Sequence, residues 1–168
     1  MKMKNWDLIA YPFLNETQKL VDHEVLTDAL SAKLGAIYTL DTPLKEETWW
    51  LMDAILHVNG SLRGNLAISE VEINHGLLLL KKLKEKNSDR LSRFVYPTGH
   101  PIVTEYHLAR CMAKQVARNL YLLQHAGHEV PQLVIDFVNL SANLLFAFSV
   151  EVNRHFGIEE VEFISKSY

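Results

Sequence analysis

Between Pro131 and Gly157 lies the stretch QLVIDFVNLSANLLFAFSVEV, which is long and apolar enough to cross a bilayer. It restricts the fold more than any other segment, because that much apolar surface must find either lipid or a protein interior. Asp136, Asn139, Asn143 and Glu151 interrupt it, and each would cost about 2 kcal/mol or more in lipid. The stretch therefore reads as the central helix of a bundle, begun at Pro131 and ended by Gly157, with no membrane association expected.

Other segments carry the same helical signals. Leu26, Leu30, Leu34 and Ile37 form an apolar stripe on a helix from about Asp22 to Tyr38, whose other face stacks Asp28, Ala32 and Gly35. Thr42-Pro43 reads as a helix start, with the proline at the first helical position, and the pattern runs through Trp49, Met52, Ile55 and Leu56 to Gly60 or Gly64. Ser69 followed by Glu72 is a capping box for a helix through Leu77, Leu80 and Leu83. Pro101 opens the next helix and Gly127 closes it, with Ala109, Met112, Val116, Leu120 and Leu123 as its seam. No alternating β-branched run competes, so the chain is expected to be all-α, a single domain over residues 1–168 in which residues 1–21 are irregular.

Charge and cysteine content limit the function. A formal net charge of -3 removes the usual electrostatic case for nucleic acid binding. The N-terminus has no signal-peptide core, and Cys111, the lone cysteine, cannot form an intrachain disulfide; both fit a cytoplasmic, reducing environment. The seven glycines are scattered, so no glycine-rich phosphate cradle is expected. Glu72 and His75 form one E-x-x-H, but a di-iron bundle requires two, and Glu151 to His155 has the wrong spacing; no metal site is expected. No strand-Ser-helix elbow marks a nucleophile triad.

What remains is a cationic column. His107, Arg110, Lys114 and Arg118 follow at steps of three, four and four on one helix. A solvated face whose side chains snorkel off the core explains such a column, and so does an anion site, because uncountered cations repel by a few tenths of a kcal/mol per pair.

The segment FVYPTGHPIVTEYHLARCMAKQVAR, Phe94 to Arg118, resembles without a gap the F-[IV]-L-P-G-G … L-H-x-A-R-T-x-x-R-R-A-E-R segment of the trimeric PduO-type ATP:cob(I)alamin adenosyltransferases. Phe94, Pro97, Gly99, His107, Ala109, Arg110 and Arg118 match it. TDALSAKLGA is similar to the family's D-E-L-N-A-x-[IL]-G, with Asp28, Leu30, Ala32 and Gly35 in register. The resemblance covers roughly residues 22 to 150 and implies a five-helix up-and-down bundle assembling as a homotrimer with active sites between subunits. It implies transfer of the 5′-deoxyadenosyl group of ATP, with Mg²⁺, to the cobalt of a reduced corrinoid. It also implies that Asp28 pairs with Arg110 as a catalytic couple, that Lys114 and Arg118 hold the ATP phosphates, and that Phe94 displaces the corrinoid's lower axial ligand. From the residues alone, Phe94 reads equally well as a core aromatic.

The departures fall on the nucleotide side. The family's T-x-T-G-D-x-G-x-T triphosphate wrap has no counterpart in residues 1–21, which contain no glycine. In place of R-R-A-E-R stands Lys114-Gln115-Val116-Ala117-Arg118, and in place of L-N-R-L-S-D stands Phe137 to Ala142. Lysine keeps the charge of arginine without its two-pronged donor geometry. Two functions stay open: an adenosyltransferase with a degenerate ATP site, or a non-catalytic protein that binds or escorts a corrinoid. A bundle serving only protein contacts is the third reading.

Overall fold

A computed structural model describes residues 5–167. Five α-helices account for most of it: α1 (Lys19–Thr39), α2 (Lys45–Gly60), α3 (Glu70–Lys86), α4 (Pro101–His125) and α5 (Gln132–His155), preceded by a 3-10 turn at Trp6–Leu8. The expected all-α class holds. The irregular N-terminal segment ends sooner than expected, since α1 already begins at Lys19, and its first four residues lie outside the described ones.

Two helical hairpins, α1/α2 and α4/α5, are joined by packing of α1 on α4, and α3 lies along the other side of α5. The long apolar stretch thus becomes the helix with the most buried residues, including Phe137, Leu144, Leu145, Phe148 and Val152. Its polar interruptions are resolved one by one. Asp136 and Asn143 face solvent, Asn139 donates to the Tyr121 hydroxyl at 3.1 Å, and buried Glu151 receives Lys86 and, at 2.9 Å, the Asn87 amide. A carboxylate buried with two donors avoids most of the penalty that an unpaired charge would carry.

The helix boundaries follow chemistry visible in the sequence, with one exception. The Ser69/Glu72 capping box forms, Pro101 occupies the first position of α4, and Gly127 (φ 88°) and Gly157 (φ 67°) lie just beyond α4 and α5 in the left-handed region. At Thr42-Pro43 the start is offset: α2 begins at Lys45, and the Thr42 hydroxyl accepts from the Leu44 amide at 3.2 Å just ahead of it. The Thr42 hydroxyl also meets the Tyr106 hydroxyl at 3.0 Å, and Thr48 meets it at 2.6 Å, so this fully buried tyrosine ties the start of α2 to α4. A buried phenol needs such partners, and two threonines supply them. The small face of α1 has an equally local cause. Gly35 lies where a Cβ would come within 3.3 Å of the Met52 sulfur, so it sets the approach of α1 to α2.

Candidate functional site

The cationic column lies along α4, but its members do not point the same way. Successive steps of four residues advance the side chain by about 40° around a helix of 3.6 residues per turn, so Arg110 and Arg118 diverge by about 80°. Arg110 lines a cavity of about 430 Å³ between the α3–α4 connection, α4 and α5, together with Phe94, Val95, Pro97, His107 and Phe146. Lys114 and Arg118, both exposed, line a second cavity of about 750 Å³ between α1 and α4. Cys111 lines both and sits on the ridge between them.

The smaller cavity is largely apolar, with Arg93 and Arg110 as the cations of its lining. The Arg110 guanidinium stands over the Phe146 ring, 5.3 Å from its centroid, a cation–π contact that itself uses none of its hydrogen-bond donors. His107 packs beside Phe146, and burial, reinforced by the Arg110 charge, lowers its pKa below the usual imidazole value, so the ring is neutral at pH 7. Phe94 is 70% exposed, which removes the core-aromatic reading.

An exposed phenylalanine on a loop is useful only if the loop is held. On one side, fully buried Asn153 of α5 accepts from the His100 amide at 3.1 Å and donates to the Thr98 carbonyl at 3.4 Å. Gly99 (φ 134°) permits this approach, since a Cβ there would lie 2.1 Å from Asn153 Oδ1. His100 stacks on Phe156 at 3.9 Å. On the other side, the C-terminal segment forms an antiparallel β-bridge, Val95 opposite Glu162, with Tyr96 N–H donating to Val161 at 2.9 Å and Phe163 N–H to Phe94 at 2.8 Å.

The larger cavity has apolar walls from Val21, Val25, Leu26 and Leu122 and a cationic rim of Lys19, Lys114 and Arg118, with Asp22 as its carboxylate. Leu14 of the N-terminal segment closes one side. That segment is fastened by Arg63, which contacts the Glu16 carboxylate at 2.9 Å and the Glu24 carboxylate at 2.6 Å and stands 4.1 Å over the Phe13 ring. Burial works to raise the pKa of Glu24, but hydrogen bonds from Arg63 and Tyr11 outweigh it and hold the carboxyl below its ordinary value. Asn119 donates to the Lys19 carbonyl at 3.2 Å and so ties the start of α1 to α4.

The expected pairing of Asp28 with Arg110 does not form within the chain. Exposed Asp28 accepts from Asn59 at 3.0 Å, whereas Arg110 faces the Phe94 cavity on another side of α4. Arg110, Phe94, Lys114 and Arg118 are therefore brought together around two adjoining cavities, and Asp28 stands apart. Glu72 of the lone E-x-x-H is committed to its capping box, and His75 packs against Trp50 at 4.6 Å. Sequence reasoning missed Lys19, Asn153, Arg63 and the C-terminal partner of the Phe94 loop. Of these only the loop carried a signal, a glycine two residues after Pro97 that demands unusual backbone.

A protein-family profile described as cobalamin adenosyltransferase matches residues 18–152. The chain is similar in structure to two substitution variants of a PduO-type ATP:corrinoid adenosyltransferase from Lactobacillus reuteri complexed with cobalamin and ATP. These share 15% sequence identity with it at TM-scores of 0.77 and 0.76, over 89% and 87% of this chain and 88% and 84% of theirs. A third variant, a PduO-type ATP:co(I)rrinoid adenosyltransferase from the same organism complexed with ATP, aligns at 16% identity and a TM-score of 0.76 over 88% of each chain. No curated protein sequence matches the chain.

Proposed function

Because the chain belongs to the cobalamin adenosyltransferase family, we propose that it transfers the 5′-deoxyadenosyl group of ATP to the cobalt of a reduced corrinoid, through a degenerate ATP site. The observation carrying this reading is that the cationic column divides between two adjoining cavities, Arg110 with Phe94 on one side and Lys114 with Arg118 on the other. A two-substrate transfer needs two such compartments meeting at one ridge.

In the reaction, the electron pair on cob(I)alamin cobalt forms a bond to C5′ of ATP as the C5′–O bond breaks and triphosphate leaves with that bond's pair. Catalysis then rests on groups that stabilise charge developing on the leaving oxygen. Lys114 and Arg118, with Lys19, supply cations there in place of the missing glycine-rich wrap, and the Arg63-fastened N-terminal segment supplies a wall through Leu14. Phe94 presents an apolar face that displaces the lower axial ligand of the corrinoid, and with His107 neutral the cations lining that cavity are Arg110 and Arg93. Among the described residues the nucleotide cavity offers no cage for Mg²⁺: Asp22 alone lines it as a carboxylate, so magnesium belongs to the MgATP substrate, held by phosphate oxygens and water.

Homotrimeric assembly is part of the reading, with Asp28 and Arg110 meeting between subunits; the exposure of Asp28 supports this, and sedimentation equilibrium checks the subunit number. A cytoplasmic location is also part of it, supported by the unbridged Cys111. The lost charges at Gln115 and Ala117 favour a second reading, a non-catalytic corrinoid escort. Titration with cob(II)alamin separates the two. A base-off, four-coordinate spectrum that requires MgATP supports the enzyme, the same spectrum without nucleotide and without product supports the escort, and no spectral change defeats both. Phe94→Ala is expected to abolish the base-off form while changing stability by no more than about 0.5 kcal/mol, as for exposed side chains generally.

A further inference from the structure

Phe94 makes little packing of its own, so something else must set where its ring stands. The chain of restraint can be followed from a buried arginine to that ring. Arg90, in the α3–α4 connection, is almost fully buried and donates to the Ile158 carbonyl at 2.7 Å, the Glu159 carboxylate at 2.8 Å and the Glu160 carboxylate at 3.3 Å. Three contacts to three consecutive residues fix the exit of the C-terminal segment from α5. Arg93 adds an ion pair to Glu162 at 3.7 Å.

Beyond that anchor the segment runs antiparallel to the Phe94 loop. With Val95 opposite Glu162, the pairing sets Phe94 opposite Phe163 and Tyr96 opposite Val161, so all four lie on one face of a short two-stranded ribbon. Tyr96 and Phe163 meet edge to face at 5.3 Å. That face is apolar yet solvent-exposed, and its Phe94 also lines the smaller cavity. A ribbon this short is not stable by itself. It persists because Arg90 holds one strand and Asn153 holds the other.

We infer that the C-terminal segment, residues 158–163, is a positioning strap for Phe94 that sets the reach of its ring into the corrinoid. This rests on the corrinoid reading of the smaller cavity. Phe163 and Arg90 act through Phe94 and are positioning residues. The strap governs how far the axial ligand is displaced, not whether nucleotide binds.

Phe163→Pro removes the N–H that bonds the Phe94 carbonyl and leaves the helices untouched, whereas Phe163→Leu keeps that N–H. At saturating cob(II)alamin with MgATP, Phe163→Pro is expected to lower the base-off fraction at least fivefold, with Phe163→Leu restoring it to near the wild-type value. Nucleotide affinity should change less than twofold in both. Hydrogen exchange at the Tyr96 amide, measured without any corrinoid, should accelerate at least tenfold in Phe163→Pro. An unchanged base-off fraction in Phe163→Pro overturns the strap. Unchanged Tyr96 exchange also overturns it, and that arm stands even if the wild-type protein binds no corrinoid, an outcome that would defeat the proposed function separately.

Discussion

Arg110, Lys114 and Arg118 share a column in the sequence but serve different compartments, and the cause is the 40° or so by which each four-residue step overshoots a helical turn. The spacing alone made the column legible. Its division between two cavities was not, because that depends on which helices flank α4. Asp28 gives the opposite lesson: its motif was legible, but its partner within the chain is Asn59. Two buried titratable neighbours on α1 make a residue-level prediction. His23 is fully buried, its Nδ1 has no hydrogen-bond partner among the described residues, and burial lowers its pKa from 6.5; Glu24 is held below its ordinary 4.5. In both cases the unfolded chain takes up the proton first. Stability is therefore complete above the unfolded pKa and is lost as pH falls through the lower folded value. Denaturant unfolding across pH 7 to 3 should show a first decline beginning near pH 6.5 and a second below pH 4.5. His23→Leu should reduce the first, leaving the share of His107, whose pKa burial also lowers, and should leave the second unchanged; the Val58 carbonyl that His23 contacts also accepts from Ser61. A first decline undiminished in the variant would refute the assignment.

Among the elements, those ended by self-contained chemistry could be read directly. The Ser69/Glu72 box, Pro101, Gly127 and Gly157 act within a few residues, and local signals suffice for them. Thr42 could be read only in part: its bond from the Leu44 amide is local, whereas its contact with Tyr106 reaches 64 positions along the chain. The pairing of the C-terminal segment with the Phe94 loop was equally hidden: one β-bridge leaves no alternating pattern to detect. The α3–α4 connection depends on Gly99 for both its backbone and its contact with Asn153. Gly99→Ala should cost about 2 kcal/mol or more in denaturant unfolding. The base-off spectrum should weaken in step, because the same contact holds the loop that carries Phe94. Wild-type stability in that variant would mean the loop has a conformation other than the one described.

At the scale of the molecule, the bundle positions two cavities and leaves the ridge of α4 between them. The α1/α4 packing builds the wall of the larger cavity, and the α4/α5 packing builds the floor under Phe94. The sequence lacks the glycine-rich segment that the resemblance leads one to expect, and in the proposed function Leu14, Lys19 and the Arg63 clasp stand in for it. Whether those substitutes support chemistry is the central claim. The most direct measurement is a single-turnover reaction of the protein with cob(I)alamin and MgATP under a one-electron reductant, following the cobalt–carbon chromophore and the released triphosphate together. The account predicts adenosylcobalamin and triphosphate appearing in equal amounts, with both suppressed at least tenfold by Lys114→Ala combined with Arg118→Ala. Formation of neither product, from protein that retains its fold, would contradict it.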